Sequence, residues 1–259
     1  MYLIANLIYL IMQFPHFLYV KIIDLYYYLK NKEWNIFKGY GLHIYVGMFG
    51  SGKTSSMVHD AYCLAKRYKD LNILTNMKLQ NFPEWTNIIQ MEDTNDIVTA
   101  PPNTLVLIDE ISTVFNSRKY KTDGIPVPLL GMLLQVRKER KMIFATAQRF
   151  QHVDALLRQI TYSVRDCTCW FGRWNWIYKF DAWDYENRQN PLIKIPVLGS
   201  SAFIQTNKIR NLYDTMEMVE EVKKMDFMSN EEILERQGNG LAMNITAVAE
   251  PKKRGIFGR

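Results

Sequence analysis

The chain has little cysteine for its length and shows no internal repeat or low-complexity segment. Its 259 residues include three cysteines, Cys63, Cys167 and Cys169, which are too few and too irregularly spaced for a disulfide framework or a four-ligand zinc site. A reducing compartment is therefore expected. The pair at 167 and 169 would place both thiols on one face of a strand, where core packing explains them better than metal binding. The length suits one α/β domain with short extensions.

Charge is missing from the amino-terminal stretch. Residues 1–20 contain no charged side chain, and as a helix they would be ~30 Å long, the thickness of a bilayer core. The basic start and small-residue cleavage site of a secretory signal are both lacking, and lysines follow at positions 21, 30, 32 and 38. Three interpretations stay open: a membrane-spanning helix weakened by Pro15, an interfacial helix with the tyrosines at 26–28 at headgroup level, and a helical hairpin packed on a partner. We expect residues 1–28 to associate with a membrane and the remainder to be cytoplasmic.

The most specific motif is a glycine-rich loop between a strand pattern and a helix pattern. Residues 47–54 read Gly-Met-Phe-Gly-Ser-Gly-Lys-Thr after an apolar run at 42–46, which fits G-x-x-x-x-G-K-[ST] in its proper setting. The glycines let backbone N–H groups turn inward and cradle an anion at the helix N-terminus. Lys53 would reach the β- and γ-phosphates of ATP, and the Thr54 hydroxyl would ligate Mg²⁺. The predicted nucleotide-binding residues are Gly47, Gly50, Ser51, Gly52, Lys53, Thr54 and Ser55.

A second motif supplies the acidic groups. The run Thr104–Ile108 is continuously apolar, which predicts a buried parallel strand, and Asp109 and Glu110 follow it directly. Asp109 is expected to hold Mg²⁺ directly or through water, and Glu110 to polarise the water that attacks the γ-phosphate. Such a glutamate would waste ATP in a small-molecule kinase, so an ATPase is favoured.

A basic segment leads into a further strand. Residues 118–141 contain seven basic and two acidic side chains, a net charge of 7 − 2 = +5, within a chain of formal net charge +6. This concentration favours a polyanionic partner. Residues 142–146 predict a buried strand, and Gln148 lies just beyond it. If that strand lies between the strands of the two motifs, Gln148 would face the γ-phosphate.

Residues 162–186 are rich in aromatic side chains. Trp174, Trp176, Tyr178 and Phe180 alternate with Asn175, Ile177 and Lys179, which predicts a β-hairpin with one aromatic face. Stacking on nucleic-acid bases would use such a face, but packing at the sheet edge is the simpler explanation and is preferred. Residues 213–224 predict a helix before a basic tail. The predicted organisation is a hydrophobic segment at 1–40, an ATPase domain at 41–198, and carboxy-terminal helices at 199–259.

Together these motifs resemble the FtsK/HerA superfamily of nucleic-acid pumping ATPases, in particular zonula occludens toxin-like assembly ATPases of filamentous phages and viral genome-packaging ATPases. The resemblance covers about residues 42–165. Ala147 is inserted before Gln148, and the hydrophobic segment precedes the ATPase, whereas in many phage assembly proteins it follows. The matching residues are Asp109-Glu110, Arg137-Lys138-Glu139-Arg140, Thr146-Ala147-Gln148 and Val153-Asp154…Arg158.

The resemblance implies an α/β P-loop NTPase with a mainly parallel sheet flanked by helices, plus the β-hairpin and the N-terminal hydrophobic helix. It also implies a homo-oligomeric ring that hydrolyses ATP to move DNA in phage or virus assembly, at a membrane or on a virion, with other assembly proteins. In such a ring a neighbour's arginine contacts the γ-phosphate, and Arg140, Arg137 and Arg158 are the candidates, Arg140 first. The competing interpretation is a nucleotide-gated membrane scaffold that binds ATP without moving nucleic acid.

Overall fold

The computed structural model describes residues 2–115, 131, 138–189 and 194–214, which build one eight-stranded sheet of order β3-β2-β4-β5-β1-β6-β7-β8. The strands are β1 Gly41–Val46, β2 Asn72–Thr75, β3 Asn87–Gln90, β4 Thr104–Ile108, β5 Met142–Ala147, β6 Thr161–Trp170, β7 Trp174–Asp181 and β8 Gly199–Ile204. The described helices are α1 Tyr2–Lys30, α2 Lys53–Arg67, α3 Asn95–Thr99, α4 Ile111–Val114, α5 Ala155–Ile160, α6 Ala182–Glu186 and α7 Asn207–Arg210.

The central strands are parallel and buried on both faces. Strands β3, β2, β4, β5, β1 and β6 pair in parallel, while β7 and β8 add an antiparallel extension beyond β6. Every residue of β1 and of β4 is buried, which is why both read as continuous apolar runs. On one face α2 packs Met57, Val58 and Ala61 into the core. The predicted mainly parallel α/β sheet is confirmed.

The position of β5 brings the two sequence motifs together. This strand pairs with β1 on one side, where Ile44 lies opposite Ala145, and with β4 on the other, where Ile108 also lies opposite Ala145. Because parallel strands end at the same edge, the phosphate loop after β1 and the acidic pair after β4 meet at the carboxyl edge. The strand that precedes Gln148 therefore lies between the strands of the two motifs, as the prediction for Gln148 requires.

Two strands were not predicted. Strand β3 lies in the connection between β2 and β4, and β8 lies beyond the predicted domain boundary at 198 as a full member of the sheet. Both are edge strands whose side chains are almost all exposed, so neither shows the apolar run or the alternation that marks a strand. Within the basic segment at 118–141, residues 131, 138 and 139 are helical. The predicted helix at 213–224 lies almost wholly outside the described residues.

The predicted hairpin is confirmed, but packing at the sheet edge explains only some of its aromatic residues. Phe180 is buried and Trp176 half-buried, whereas the other rings are exposed. Strands β6 and β7 pair with a turn at 171–173. Trp170 is 56% exposed, Trp174 46% and Tyr178 38%, so these rings are not packed into the core. Alternation predicts which side chains share a face of a strand, and the elements that pack against the sheet decide whether that face is covered.

The N-terminal helix stands clear of the sheet. Helix α1 has 29 residues with Pro15 inside it, and every side chain from 9 to 30 is exposed. Within the described part of the chain, no helix combines the length and the apolar character that crossing a membrane requires.

The three cysteines differ in burial. The three thiols are free, with Cys63 exposed, Cys167 buried and Cys169 half-buried. Burial raises the pKa of the Cys167 thiol to about 12, so it stays protonated and packs as a small apolar side chain.

His43 on β1 is a buried titratable group. Its side chain is 3% exposed, with Nδ1 2.7 Å from the Ser163 hydroxyl and Nε2 3.2 Å from the Tyr40 carbonyl oxygen. Desolvation, and then the positive charge of Arg165, lower the pKa of His43 to about 3. The imidazole is therefore neutral in the folded protein at physiological pH.

This shift predicts a loss of stability in mild acid. As pH falls below the ordinary histidine pKa, the unfolded chain takes up a proton at His43 that the folded chain does not, so unfolding is favoured. Between pH 7 and 5 we expect this group to lower the free energy of unfolding by about 2 kcal/mol. Urea denaturation at both pH values should show a smaller acid-induced loss for His43→Gln than for the wild type. His152→Gln, at an exposed position, should retain the full loss, and equal losses in all three proteins would contradict the assignment.

Candidate functional site

The phosphate loop joins β1 to α2 at the carboxyl edge of the sheet. Gly52, the residue before α2, has φ +79°, and a Cβ atom there would lie 2.7 Å from the side-chain amide of Asn175. At Gly47 a Cβ atom would lie 2.3 Å from the Ser51 hydroxyl oxygen. Neither position has room for a side chain. The loop therefore keeps its backbone close to the N-terminus of a 15-residue helix, where N–H groups and the helix dipole favour a phosphate.

A hydroxyl from α2 and a carboxylate from β4 lie side by side beneath this loop. The Thr54 hydroxyl donates to Asp109 Oδ1 at 3.0 Å, and the Thr146 hydroxyl, from β5, donates to the same oxygen at 2.7 Å. Hydroxyl and carboxylate oxygens are hard ligands of the kind that Mg²⁺ takes together with nucleotide phosphates. The donor set at Thr54 and Asp109 thus fits the metal that the sequence predicts.

The backbone of Asp109 is fixed by a residue that the sequence reasoning missed. Asn76, which follows β2, accepts from the Asp109 N–H at 2.9 Å and donates from its amide to the Asp109 carbonyl oxygen at 3.1 Å. These two hydrogen bonds fix the backbone of Asp109 and, with it, the direction in which its carboxylate points. The sequence offers one weak signal for this role, namely a polar residue directly after a buried strand.

Glu110 occupies a constrained position. Its φ is +53°, a left-handed conformation that is uncommon for a non-glycine residue and found at functional sites. Its N–H donates to the Thr146 hydroxyl at 2.8 Å, and Ser112 donates to its carboxylate at 2.8 Å. The Thr146 hydroxyl therefore touches both acidic residues, accepting from the backbone of one and donating to the side chain of the other.

The other predicted groups line a cleft beside the loop. Its volume is about 740 Å³, and residues 47–51, Gln148 and Arg149 form part of its wall. Gln148 is half-buried and Arg149 exposed. The Lys53 ammonium donates to the Met48 carbonyl oxygen at 3.1 Å across the loop. Arg149 is not among the residues that the sequence predicts for the site, although it follows Gln148 directly.

The predicted trans-acting arginines are not brought to the loop of their own chain. Arg140 lies just before β5, at the amino edge of the sheet, whereas the phosphate loop lies at the carboxyl edge. Arg158, on α5, forms an ion pair with Glu186 at 3.5 Å. Arg137 lies outside the described residues. A role for any of them at a neighbour's nucleotide stays a prediction.

A buried amide network supports the loop from the side of the antiparallel strands. Asn175, on β7, donates to the Ser55 hydroxyl at 2.7 Å and to the Ser56 hydroxyl at 3.3 Å. Gln205, after β8, donates to Ser55 at 2.7 Å and to Asn175 at 2.9 Å. The Ser55 hydroxyl is thus held inside the protein, so only its backbone N–H is left to meet a nucleotide. Only the alternation of Asn175 with Trp174 and Trp176 could have indicated a polar group on the inner face.

Comparison with known proteins gives distant structural similarity only. No family model matches the sequence, and no curated protein matches it. The N-terminal domain of zonular occludens toxin from Neisseria meningitidis is 18% identical, with 68% of this chain and 100% of that one covered and a TM-score of 0.46. The DNA-packaging ATPase B204 from Sulfolobus turreted icosahedral virus is 12% identical, with coverage of 65% and 98% and a TM-score of 0.41.

A third similar structure is the flagellar accessory protein FlaH from Methanocaldococcus jannaschii. It is 10% identical, with 54% of this chain and 78% of that one covered and a TM-score of 0.39. All three are P-loop ATPases, the class that the motifs predict. Similarity at these identities concerns the fold alone.

Thr146 should orient the acidic pair. Thr146→Val keeps the shape of this buried side chain but removes the hydroxyl, leaving the Glu110 N–H without its partner and Asp109 with one donor fewer. We expect kcat for ATP hydrolysis to fall about tenfold or more, as loss of an orienting hydrogen bond to a charged group implies. Thr146→Ser retains the hydroxyl and should restore most of the turnover in a steady-state assay. Wild-type turnover in Thr146→Val would show that the hydroxyl serves the fold alone.

Proposed function

We propose that the chain is an ATP-hydrolysing motor that moves DNA. The observation that carries the ATPase part is the convergence of Thr54 and Thr146 on one oxygen of Asp109, directly beneath a phosphate loop. With Glu110 alongside, this edge of the sheet has a phosphate cradle, a place for a divalent cation and a base for water.

Each residue of this group has a distinct task. Lys53 places a positive charge on the β- and γ-phosphates. Glu110 accepts a proton from the attacking water, and the bonds from Ser112 and Thr146 keep its carboxylate and backbone in place. Thr54 and Asp109 would hold Mg²⁺, whose charge would offset the negative phosphate oxygens.

The positive charge of the chain supports DNA as the polymer that the motor moves. The net charge of the chain is +6, and the segment at 118–141 alone carries +5. Much of that segment lies outside the described residues, so its support for this proposal is the sequence itself. Phosphate contacts by Lys and Arg provide most of the affinity of proteins that move along nucleic acid without reading its sequence.

A ring of identical subunits is part of the same proposal. Arg140 lies at the edge of the sheet opposite its own phosphate loop, so any contact between this side chain and a γ-phosphate would be with the nucleotide of a neighbouring subunit. A guanidinium in that position offsets charge in the transition state.

We also propose that α1 attaches the motor to a membrane surface. Its apolar and aromatic side chains are exposed from Tyr9 onward. Near its carboxyl end Lys21 lies 6.0 Å from the Phe17 ring and Lys30 lies 5.8 Å from the Tyr26 ring. Aromatic rings beside lysines suit the headgroup region, where the ring is partly buried and the cation meets anionic lipid.

Two substitutions in the nucleotide site should affect different steps, ATP binding and ATP hydrolysis. Lys53→Ala removes a phosphate contact, so ATP affinity or turnover should be lost. Glu110→Gln removes the group that activates water, so ATP should bind while turnover falls by about 10²-fold or more. Fluorescent-nucleotide binding and phosphate release measure the two steps separately. Equal loss of ATP binding in both variants would assign Glu110 a structural role.

The wild-type protein in the same assays separates the motor from the scaffold. A motor should show steady ATPase activity that DNA stimulates, whereas a nucleotide-gated scaffold should turn over slowly and ignore polynucleotide. An absence of DNA stimulation in an active preparation would therefore reject the motor.

Removal of the N-terminal helix should release the protein from membranes. Deletion of residues 1–28 should abolish co-sedimentation with anionic vesicles while leaving ATP binding intact, because β1 begins only at Gly41. Full-length protein that stays in the supernatant with these vesicles would reject the membrane proposal.

A further inference from the structure

The antiparallel end of the sheet carries a row of large rings, of which Trp170, Trp174 and Tyr178 are exposed and Trp176 is half-buried. Trp170 on β6, with Trp174, Trp176 and Tyr178 on β7, forms what we term the aromatic face. In the register Trp170 lies opposite Trp174, and side chains of directly opposed residues project from the same side of a sheet. The face continues onto β8, where Ile204 lies opposite Trp174 and is 63% exposed.

The spacing of the rings suits planar ligands. The centroids of Trp174 and Trp176 are 5.6 Å apart, and those of Trp176 and Tyr178 are 6.4 Å apart with ring planes 22° from parallel. Stacked bases are separated by ~3.4 Å, so a base between two rings needs ~6.8 Å. The distance between the centroids of Trp176 and Tyr178 is close to that value. Aromatic rings also stack on any base, because every base has a π face.

The charges around the aromatic face complement a polyanion. Residues 170–180 and 199–211 include Arg173, Lys179, Lys208 and Arg210 and no aspartate or glutamate. Of these, Lys179 projects from the other face of β7 with Asn175, and Lys208 lies 5.9 Å from the Tyr62 ring on α2. The other two cations meet at the turn of the hairpin, where Arg210 donates to the Gly172 carbonyl oxygen at 2.7 Å and Arg173 to the Gln205 carbonyl oxygen at 3.0 Å. The nearest carboxylate on the face, Asp166, lies opposite Tyr178 and is paired with Arg188.

We propose that the aromatic face binds single-stranded nucleic acid, with bases stacked on Trp170, Trp174, Trp176 and Tyr178 and phosphates near Arg173 and Arg210. This rests on the proposed function, since it names the surface by which the motor would grip DNA. A duplex keeps its bases paired and stacked on one another, so it cannot use these rings.

The same strand connects this surface to the nucleotide site. Trp174 and Trp176 flank Asn175, whose side chain projects from the opposite face and binds Ser55 in the first turn of α2. Gln205, which also binds Ser55, accepts from Arg210 at 3.4 Å. A continuous hydrogen-bonded series therefore runs from the phosphate loop helix to the turn of the hairpin. Movement of that helix turn would shift the backbone that carries the rings.

The test uses the full-length protein with a fluorescein-labelled oligo(dT) and a duplex of equal length. Fluorescence anisotropy should show tighter binding to the single strand. Substitution of both rings, Trp174→Ala with Trp176→Ala, should weaken that binding about tenfold or more, and the corresponding pair of phenylalanine substitutions should restore most of it. Trp183→Ala is the matched control, because Trp183 is 75% exposed but lies on α6, off the aromatic face. Thermal melts confirm that each variant is folded.

The outcomes separate this inference from the proposed function. If DNA stimulates the ATPase and the folded double-alanine variant binds oligo(dT) as tightly as the wild type, the motor stands and the aromatic face is not its grip. Preference for the duplex, or a change in oligomeric state with unchanged DNA affinity, would likewise overturn the inference. If the wild type binds no DNA and DNA does not stimulate it, both proposals fail.

Discussion

One carboxylate oxygen holds the nucleotide site together. Asp109 Oδ1 accepts hydrogen bonds from Thr54 on α2 and from Thr146 on β5, so three elements distant in sequence meet at a single atom. This requires β1, β5 and β4 to be adjacent, parallel and in register, because a shift of one residue would turn Thr146 to the other face of the sheet. The acidic site at the carboxyl edge therefore forms only when the central strands have this order and register.

The sequence predicts this centre well because its signals are local. The loop at 47–54 has a fixed spacing of glycines, and β1, β4 and β5 are apolar runs that stay buried on both faces. Edge strands β3 and β8 lack that signal because water covers most of their side chains. Asn76 and Asn175 escape prediction for another reason. Their partners lie 33 and 120 residues away, and only the folded sheet brings these groups together.

For the hairpin, the sequence predicts the strands correctly but does not predict how far their side chains are buried. Alternation at 174–178 fixes which side chains share a face, and the structure confirms the strand. Whether rings are buried depends on the elements packed against them, and this information is absent from the segment itself. Helix α6, which follows β7 directly, leaves Trp174 and Tyr178 exposed. Core packing was the simpler explanation of the rings, whereas the topology places the aromatic face toward solvent.

One face of β7 carries the aromatic rings, and the other carries a buried amide. This amide connects the antiparallel strands to the phosphate loop. A buried amide is stable only where its hydrogen bonds are made, and Asn175 makes them to Ser55, Ser56 and Gln205. The same amide fills the space that a side chain at residue 52 would need. The backbone of the loop therefore takes its shape partly from a strand outside the parallel core. The phosphate loop and the backbone that carries the aromatic face are therefore supported by one set of contacts, those of Asn175.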